Sequence, residues 1–228
     1  MLEPVIQSTQ DCNLNKPYKM LVYGAAGVGK TALIPTLNNP LILVTESGNP
    51  LMGLSGYNLP FVKITDFNHF LYCLNVFKND ARFSTIVIDS ISDLSQMRIN
   101  DLLKGKSNGG KKIHGEQAYG LLLQDFDAVF DLLNECIQDI VCFGKLHTFE
   151  AEDKKQLFYP LFAGKALNPI ALHYFDAVVA LDKQGGNRQL ITTQNYQWQA
   201  KARTPFAIGD NHEPHLGKLL NKIRGING

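Results

Sequence analysis

The octapeptide Gly24-Ala25-Ala26-Gly27-Val28-Gly29-Lys30-Thr31 follows directly on the apolar run Met20–Tyr23. It matches G-x-x-x-x-G-K-[ST] in full, a pattern met by chance in about one chain per hundred at ordinary Gly and Lys frequencies. Glycines at these positions let the backbone turn tightly and aim its N–H groups inward at a phosphate. Lys30 brings a point charge to the β- and γ-phosphates, and the Thr31 hydroxyl can ligate Mg2+. A strand ending at Tyr23 and a helix opening at Gly29 therefore predict a phosphate loop for ATP over Gly24–Thr31, aided by the positive end of the helix. Pro35 falls inside that helix and is expected to shorten or kink it.

A parallel sheet is the natural frame for such a loop, and the chain supplies one. Met20–Gly24, Leu41–Thr45, Phe61–Thr65, Ser84–Ser90 and Ile140–Gly144 read as strands; most hardly alternate, as strands buried on both faces do not. Between them, Asn68–Phe77, Ile91–Leu103 and Gln117–Leu133 carry helical patterns, and Lys104–His114 reads as a polar loop. In the third helix Ala118, Leu122, Phe126, Val129, Phe130 and Leu133 keep helical spacing. Beyond Gly144 the period changes. Ala177–Lys183 and Asn187–Thr193 flank Gln184-Gly185-Gly186, and Tyr196–Ala202 follows Gln194-Asn195, which suggests antiparallel hairpins. Leu216–Ile223 closes the chain as a helix. The expected fold is α/β, of the P-loop NTPase type, with a mainly parallel sheet and antiparallel strands in the C-terminal third. One domain over 19–228 is expected, preceded by an arm over 1–18.

Composition narrows the function classes. The chain has 228 residues, 45% hydrophobic, enough to bury a real core. Twenty-two basic residues against 21 acidic ones give a net charge of +1, which excludes a polycationic nucleic-acid wrapper but allows a local basic site. Cys12, Cys73, Cys136 and Cys142 form no CxxC pair, so neither zinc nor a disulfide is expected. His212 and His215 lack a further ligand cluster and read as a turn before the last helix. No window approaches 18 apolar residues and the N-terminus lacks a basic leader, so a soluble, cytoplasmic protein without membrane contact is expected.

Two carboxylates complete a candidate site. Asp89 closes Ile86-Val87-Ile88, so its side chain should emerge at the C-terminal edge of a strand, where α/β sheets bind ligands. With Thr31 it forms the expected Mg2+ anchor, although an aspartate there can also cap the following helix. Glu46 follows the strand Leu41–Thr45 and can orient or deprotonate a water attacking the γ-phosphate. It can also be an ordinary loop acid. As a base, it favours an ATPase over a nucleotide kinase.

The phosphate loop, Thr45-Glu46-Ser47-Gly48 and Ile86-Val87-Ile88-Asp89-Ser90-Ile91-Ser92 together resemble the RecA-like ATPases. More narrowly, the chain is similar to the compact phage RecA-like proteins that anneal single-stranded DNA in recombination, from about Tyr18 to Arg224. The resemblance implies a DNA-binding loop around Lys104, Lys106, Lys111 and Lys112, ahead of Gln117-Ala118-Tyr119-Gly120. Four lysines on one loop suit phosphate contacts. It also implies a second DNA loop between Gly144 and Ala163-Gly164-Lys165-Ala166-Leu167, with a γ-phosphate sensor at Lys145 or His147. There Phe149, Phe158, Tyr159 and Phe162 could stack on bases. Trp198, alternating with Tyr196, reads as packing instead. Finally, Lys201 and Arg203 in Gln199–Phe206 resemble the paired cations that reach a neighbouring subunit's γ-phosphate.

The activity this resemblance implies is ATP hydrolysis in a homo-oligomeric ring or filament on single-stranded DNA, with a single-strand-binding protein as a further candidate partner. One alternative is an AAA-type ATPase that remodels or loads a protein. Another is an assembly protein that binds nucleotide without hydrolysing it.

Overall fold

The computed structural model describes residues 16–105, 113–151, 154–195 and 197–226, with Gln184 by its backbone alone. Its frame is a sheet built from β1 (Lys19–Gly24), β2 (Pro40–Val44), β3 (Phe61–Lys63), β4 (Thr85–Asp89), β5 (Asp139–Glu150), β6 (Gln156–Leu161), β7 (Ala177–Gln184), β8 (Asn187–Ile191), β9 (Lys201–Ala202) and β10 (Asn211–His212). The order β10-β8-β7-β1-β5-β4-β2-β3 leaves β7-β1-β5-β4-β2-β3 wholly parallel. Antiparallel pairing brings β8 and β9 to β7, β10 to β8 and β6 to β5.

Both faces of the parallel block are covered, which is why its strands read as unbroken apolar runs. In β1, Leu21 and Tyr23 face one layer while Met20 and Val22 face the other. The thicker layer holds α1 (Phe67–Phe77), α2 (Ile91–Leu103), α3 (Gly115–Glu135) and α4 (Leu167–Tyr174). The opposite layer holds Leu33, Ile34 and the buried stripe Leu216, Leu219, Leu220 and Ile223 of α5 (Leu216–Ile223). Capping fixes two helix starts: Asp66 accepts from the His69 amide at 2.9 Å and Ser90 from the Asp93 amide at 3.2 Å. The apolar stripe read from the sequence of α3 is buried in full, with Phe126 against Phe67, Phe130 and Phe162.

Three segments differ from expectation. The helix after the phosphate loop is a short 3-10 helix over Thr31–Thr36 with Pro35 inside it, so the helix-end contribution to anion binding is reduced to two tight turns. Past Gly144, where a loop was expected, β5 runs on to Glu150 and pairs with β6 as a hairpin extending beyond the parallel sheet. The described part of the third expected hairpin strand, residues 197–202, does not pair with β8. Trp198 is buried against Phe158 and Tyr23, with ring centroids 4.5 and 5.9 Å away. That burial draws the segment onto β6, where Phe158 N donates to Gln197 O at 2.6 Å and Gln199 N to Phe158 O at 3.1 Å. Only Lys201–Ala202 remains as strand, paired with β7. The expected arm lies mostly outside the described residues, as do Cys12 and Tyr196; Cys73, Cys136 and Cys142 are free and buried.

Phe126 joins α1 and α3 to Phe162, just past β6, so its deletion reports on the thicker layer. Phe126→Ala is expected to cost about 3–5 kcal/mol. Thermal denaturation should then fall by roughly 6–20 °C; a shift of a degree or two would show that this layer is loosely packed.

Candidate nucleotide-binding site

Gly24 ends β1 where the sheet leaves no room for a side chain: a Cβ there would lie 2.4 Å from the Leu181 carbonyl oxygen of β7. The chain must therefore turn, and Gly27 and Gly29, with φ of 72° and 100°, make the turn in backbone regions that other residues rarely adopt. Lys30 folds back over the loop, its ammonium donating to Gly24 O at 2.8 Å and Ala25 O at 3.0 Å. Burial lowers its pKa, opposed by the nearby Asp89 and Glu46 carboxylates. Competing phosphate oxygens would meet a cation already held at the mouth of the loop.

Asp89 is 2% exposed at the C-terminal end of β4 and accepts a hydrogen bond from Thr31 Oγ1 at 2.9 Å. The Thr45 and Glu46 amides donate to its carbonyl oxygen at 2.9 and 3.3 Å, tying the ends of β2 and β4 together. Ser90, across a cis peptide bond from Asp89, is the residue that caps α2, which leaves the Asp89 carboxylate to the loop. Burial pushes that carboxyl up to about 6, with the Thr31 hydrogen bond and Lys30 opposing and Glu46 adding repulsion. Thr31 and Asp89 thus form a hydroxyl–carboxylate pair of the hard oxygen type that suits Mg2+.

A cavity of about 580 Å³ gathers Gly27, Lys30, Thr31, Glu46, Asp89 and Lys145 around one opening. Lys145 enters because β5 lies between β1 and β4, in register with Gly24. It is held by Asp93 at 2.6 Å, and its amide by Ser92 Oγ at 2.9 Å. His147 does not reach this opening. It lines a separate cavity of about 620 Å³ between the β5–β6 hairpin and α4, with Phe149, Tyr159, Lys165, His173 and Lys201. Of the aromatics expected to stack, Phe149 is 55% exposed, but Phe162 is core and Phe158 packs on Trp198. Burial, and then Arg203, lower the pKa of Lys201. Arg203 lies 3.6 Å from Asp176 and donates to His173 O at 3.3 Å. Neither lines the nucleotide cavity of its own chain. Lys104 is exposed at the C-terminal end of α2; Lys106, Lys111 and Lys112 lie outside the described residues.

The sequence reading missed Asp93 and Arg188. Asp93 holds both Lys145 and the Ser90 hydroxyl, and the Ser90-x-x-Asp93 spacing, a capping pattern, could have shown it. Arg188 lies against Gly29, a contact no local signal announces. His212 is buried within hydrogen-bonding distance of Thr192, and His215 accepts from the Lys218 amide; among the described residues no metal-binding cluster exists.

A glycine loop at a strand end, a lysine over it and a buried hydroxyl–carboxylate pair define a P-loop nucleotide-binding protein. The family model described as an AAA domain matches residues 16–204, and the chain belongs to that family. No curated protein matches it. Among solved structures, the RadB recombinase is similar at 19% identity over 77% of this chain and 80% of that one, with a TM-score of 0.44. A likeness this loose carries no function over. Among the described residues no helix is long and apolar enough to cross a membrane.

The raised carboxyl of Asp89 has a signed consequence. The folded state holds this proton more tightly than the unfolded chain, so this group costs stability as pH rises from the ordinary aspartate range to about 6. Asp89→Asn is therefore expected to be roughly 1–3 kcal/mol more stable than the parent at pH 8, with the difference vanishing near pH 4. The same variant should lose Mg2+-dependent nucleotide binding. Denaturant melts at both pH values check it; a less stable Asn variant at pH 8 would sink the account.

Proposed function

We propose that this protein is a RecA-like ATPase that binds single-stranded DNA and promotes strand annealing or exchange, as in phage recombination, working as a homo-oligomer. The observation that carries the reading is the convergence of Lys30, Thr31, Glu46, Asp89 and Lys145 on one cavity at the C-terminal edge of the parallel sheet. In this reading Lys30 and the loop amides hold the phosphates of ATP. Thr31 and Asp89 hold Mg2+, which neutralises charge on the phosphates when bound. Glu46 orients or deprotonates the attacking water, and Lys145, steadied by Asp93, senses the γ-phosphate from the β5 strand end.

The DNA half of the proposal draws on the second cavity. Exposed Phe149 and half-buried Tyr159 stand there beside Lys165, His173 and Lys201, a mixture of rings and cations that suits a single strand with accessible bases. Lys104 is exposed, and in this reading it binds the single strand together with Lys106, Lys111 and Lys112. Arg203, with a side chain 60% exposed, is taken with Lys201 to serve the neighbouring subunit's nucleotide. A protein-remodelling ATPase of the AAA kind is the competing outcome. Against it, the described residues after α4 form β7–β10 and the single helix α5, with no helical lid among them.

Two experiments decide. Glu46→Gln should lower kcat at least 100-fold while leaving ATP binding in place; unchanged turnover would remove Glu46 as the base. Single-stranded DNA should raise the ATPase rate of the parent but not of a variant with Lys104, Lys106, Lys111 and Lys112 changed to alanine. If DNA neither stimulates hydrolysis nor is retained at low salt, the protein-remodelling reading replaces this one.

A further inference from the structure

The hairpin joining β7 to β8 turns over Gly185 and Gly186, with φ of 55° and 90°, and brings Gln184 opposite Asn187 and Lys183 opposite Arg188. Residues directly opposite on antiparallel strands share a face, and like charges placed so repel each other. Lys183 and Arg188 are both exposed, and neither forms an ion pair among the described residues. Asp182 stands next to Lys183 and accepts its amide at 2.8 Å, but neither cation forms an ion pair with it, and the two cations face each other across the hairpin.

Their place in the fold gives them an anion. The close approach of β7 to β1 at Leu181 and Gly24 lays the hairpin against the phosphate loop of the same chain. A Cβ on Gly29 would stand 2.4 Å from Arg188 Nη1 and 3.4 Å from Cζ, so the guanidinium rests directly on the loop. Lys183 lines a recess of about 400 Å³ with Ala25, Gly27, Val28 and the acidic Asp182, on the flank of that loop away from Glu46. The glycine at position 29 thus has two functions: it permits the turn and it gives a guanidinium access to the loop backbone.

We propose that Lys183 and Arg188 form a second, cis-acting phosphate clamp, a pair of nucleotide-binding residues outside the Gly24–Thr31 loop. The ligand class is a nucleoside di- or triphosphate, met on the flank of the loop opposite the water-activating carboxylate. Arg188 contributes a planar fork of donors and Lys183 a point charge. Bound phosphate removes the repulsion between the two cations, so the hairpin is held most firmly when nucleotide is present. This inference rests on reading Gly24–Thr31 as a nucleotide site.

Titration with fluorescently labelled ADP and ATP tests it, using the full chain with Mg2+. Arg188→Met keeps the bulk over Gly29 while removing the charge, and is expected to weaken both nucleotides about tenfold, with Lys183→Met weaker in effect and the double variant weaker-binding than either. Arg188→Lys should recover part of the affinity. The parent's advantage should shrink as salt rises. Unchanged affinity in the double variant overturns the clamp, as does lost turnover with unchanged binding, which would assign the pair to a neighbouring subunit's nucleotide. Lys30→Ala separates the two readings. If it abolishes binding while the hairpin variants do not, only the clamp fails; if it too leaves binding intact, the nucleotide site itself fails.

Discussion

Parallel pairing of β1, β5, β4 and β2 is the constraint from which the site follows. Because these strands run the same way, their C-terminal ends open at one edge, and each delivers one group there. Register sets Gly24 beside Lys145, and Asp89 beside Phe143 on one side and Val44 on the other. Glu46 is then two residues beyond β2, fixed by the bond of its amide to the Asp89 carbonyl. Had β5 paired elsewhere, Lys145 would not stand between the phosphate loop and the buried carboxylate. The four helices on one face and α5 on the other bury these strands and so hold their ends in place.

The cations of the site each meet a partner, and the buried carboxylate meets no cation. Lys145 is neutralised by Asp93, and Lys30 is solvated by loop carbonyls. Asp89 has only the Thr31 hydroxyl, with no cation within ion-pair distance among the described residues. An isolated carboxylate in a buried position is costly, and its raised pKa is the sign of that cost. The strain is understandable where a divalent cation is to be bound, since the same burial that disfavours a bare carboxylate favours one that meets a metal. The unpaired cations on the β7–β8 hairpin have the complementary logic: excess positive charge lies beside the loop that meets phosphate.

Much of this was readable residue by residue. The strand Ile86–Asp89, the helix Ile91–Leu103 and the apolar stripe of α3 are local patterns, and the structure reproduces them closely. Pro35 told of a disturbed helix because its ring and missing N–H act locally. The β5–β6 hairpin was not readable. Lys145–Glu150 is largely polar, and it becomes strand because β6 pairs with its backbone, β6 being held in turn by the distant Trp198. Phe162 and Phe149 look alike in sequence, yet one packs against Phe126 in the core and the other faces solvent.

The sequence by itself determined the phosphate loop, the alternating α/β frame and the carboxylate at the end of β4, since each is a matter of spacing along a few residues. Only the tertiary structure decided that Lys145 rather than His147 faces the loop. It alone showed that Ser90, not Asp89, caps the helix, and that Arg188 lies on Gly29. The reason is physical: turn geometry and strand burial are encoded locally by side-chain shape and polarity. Which strand ends become neighbours depends instead on pairing between segments more than a hundred residues apart, as β1 and β5 are, and no local periodicity carries that information.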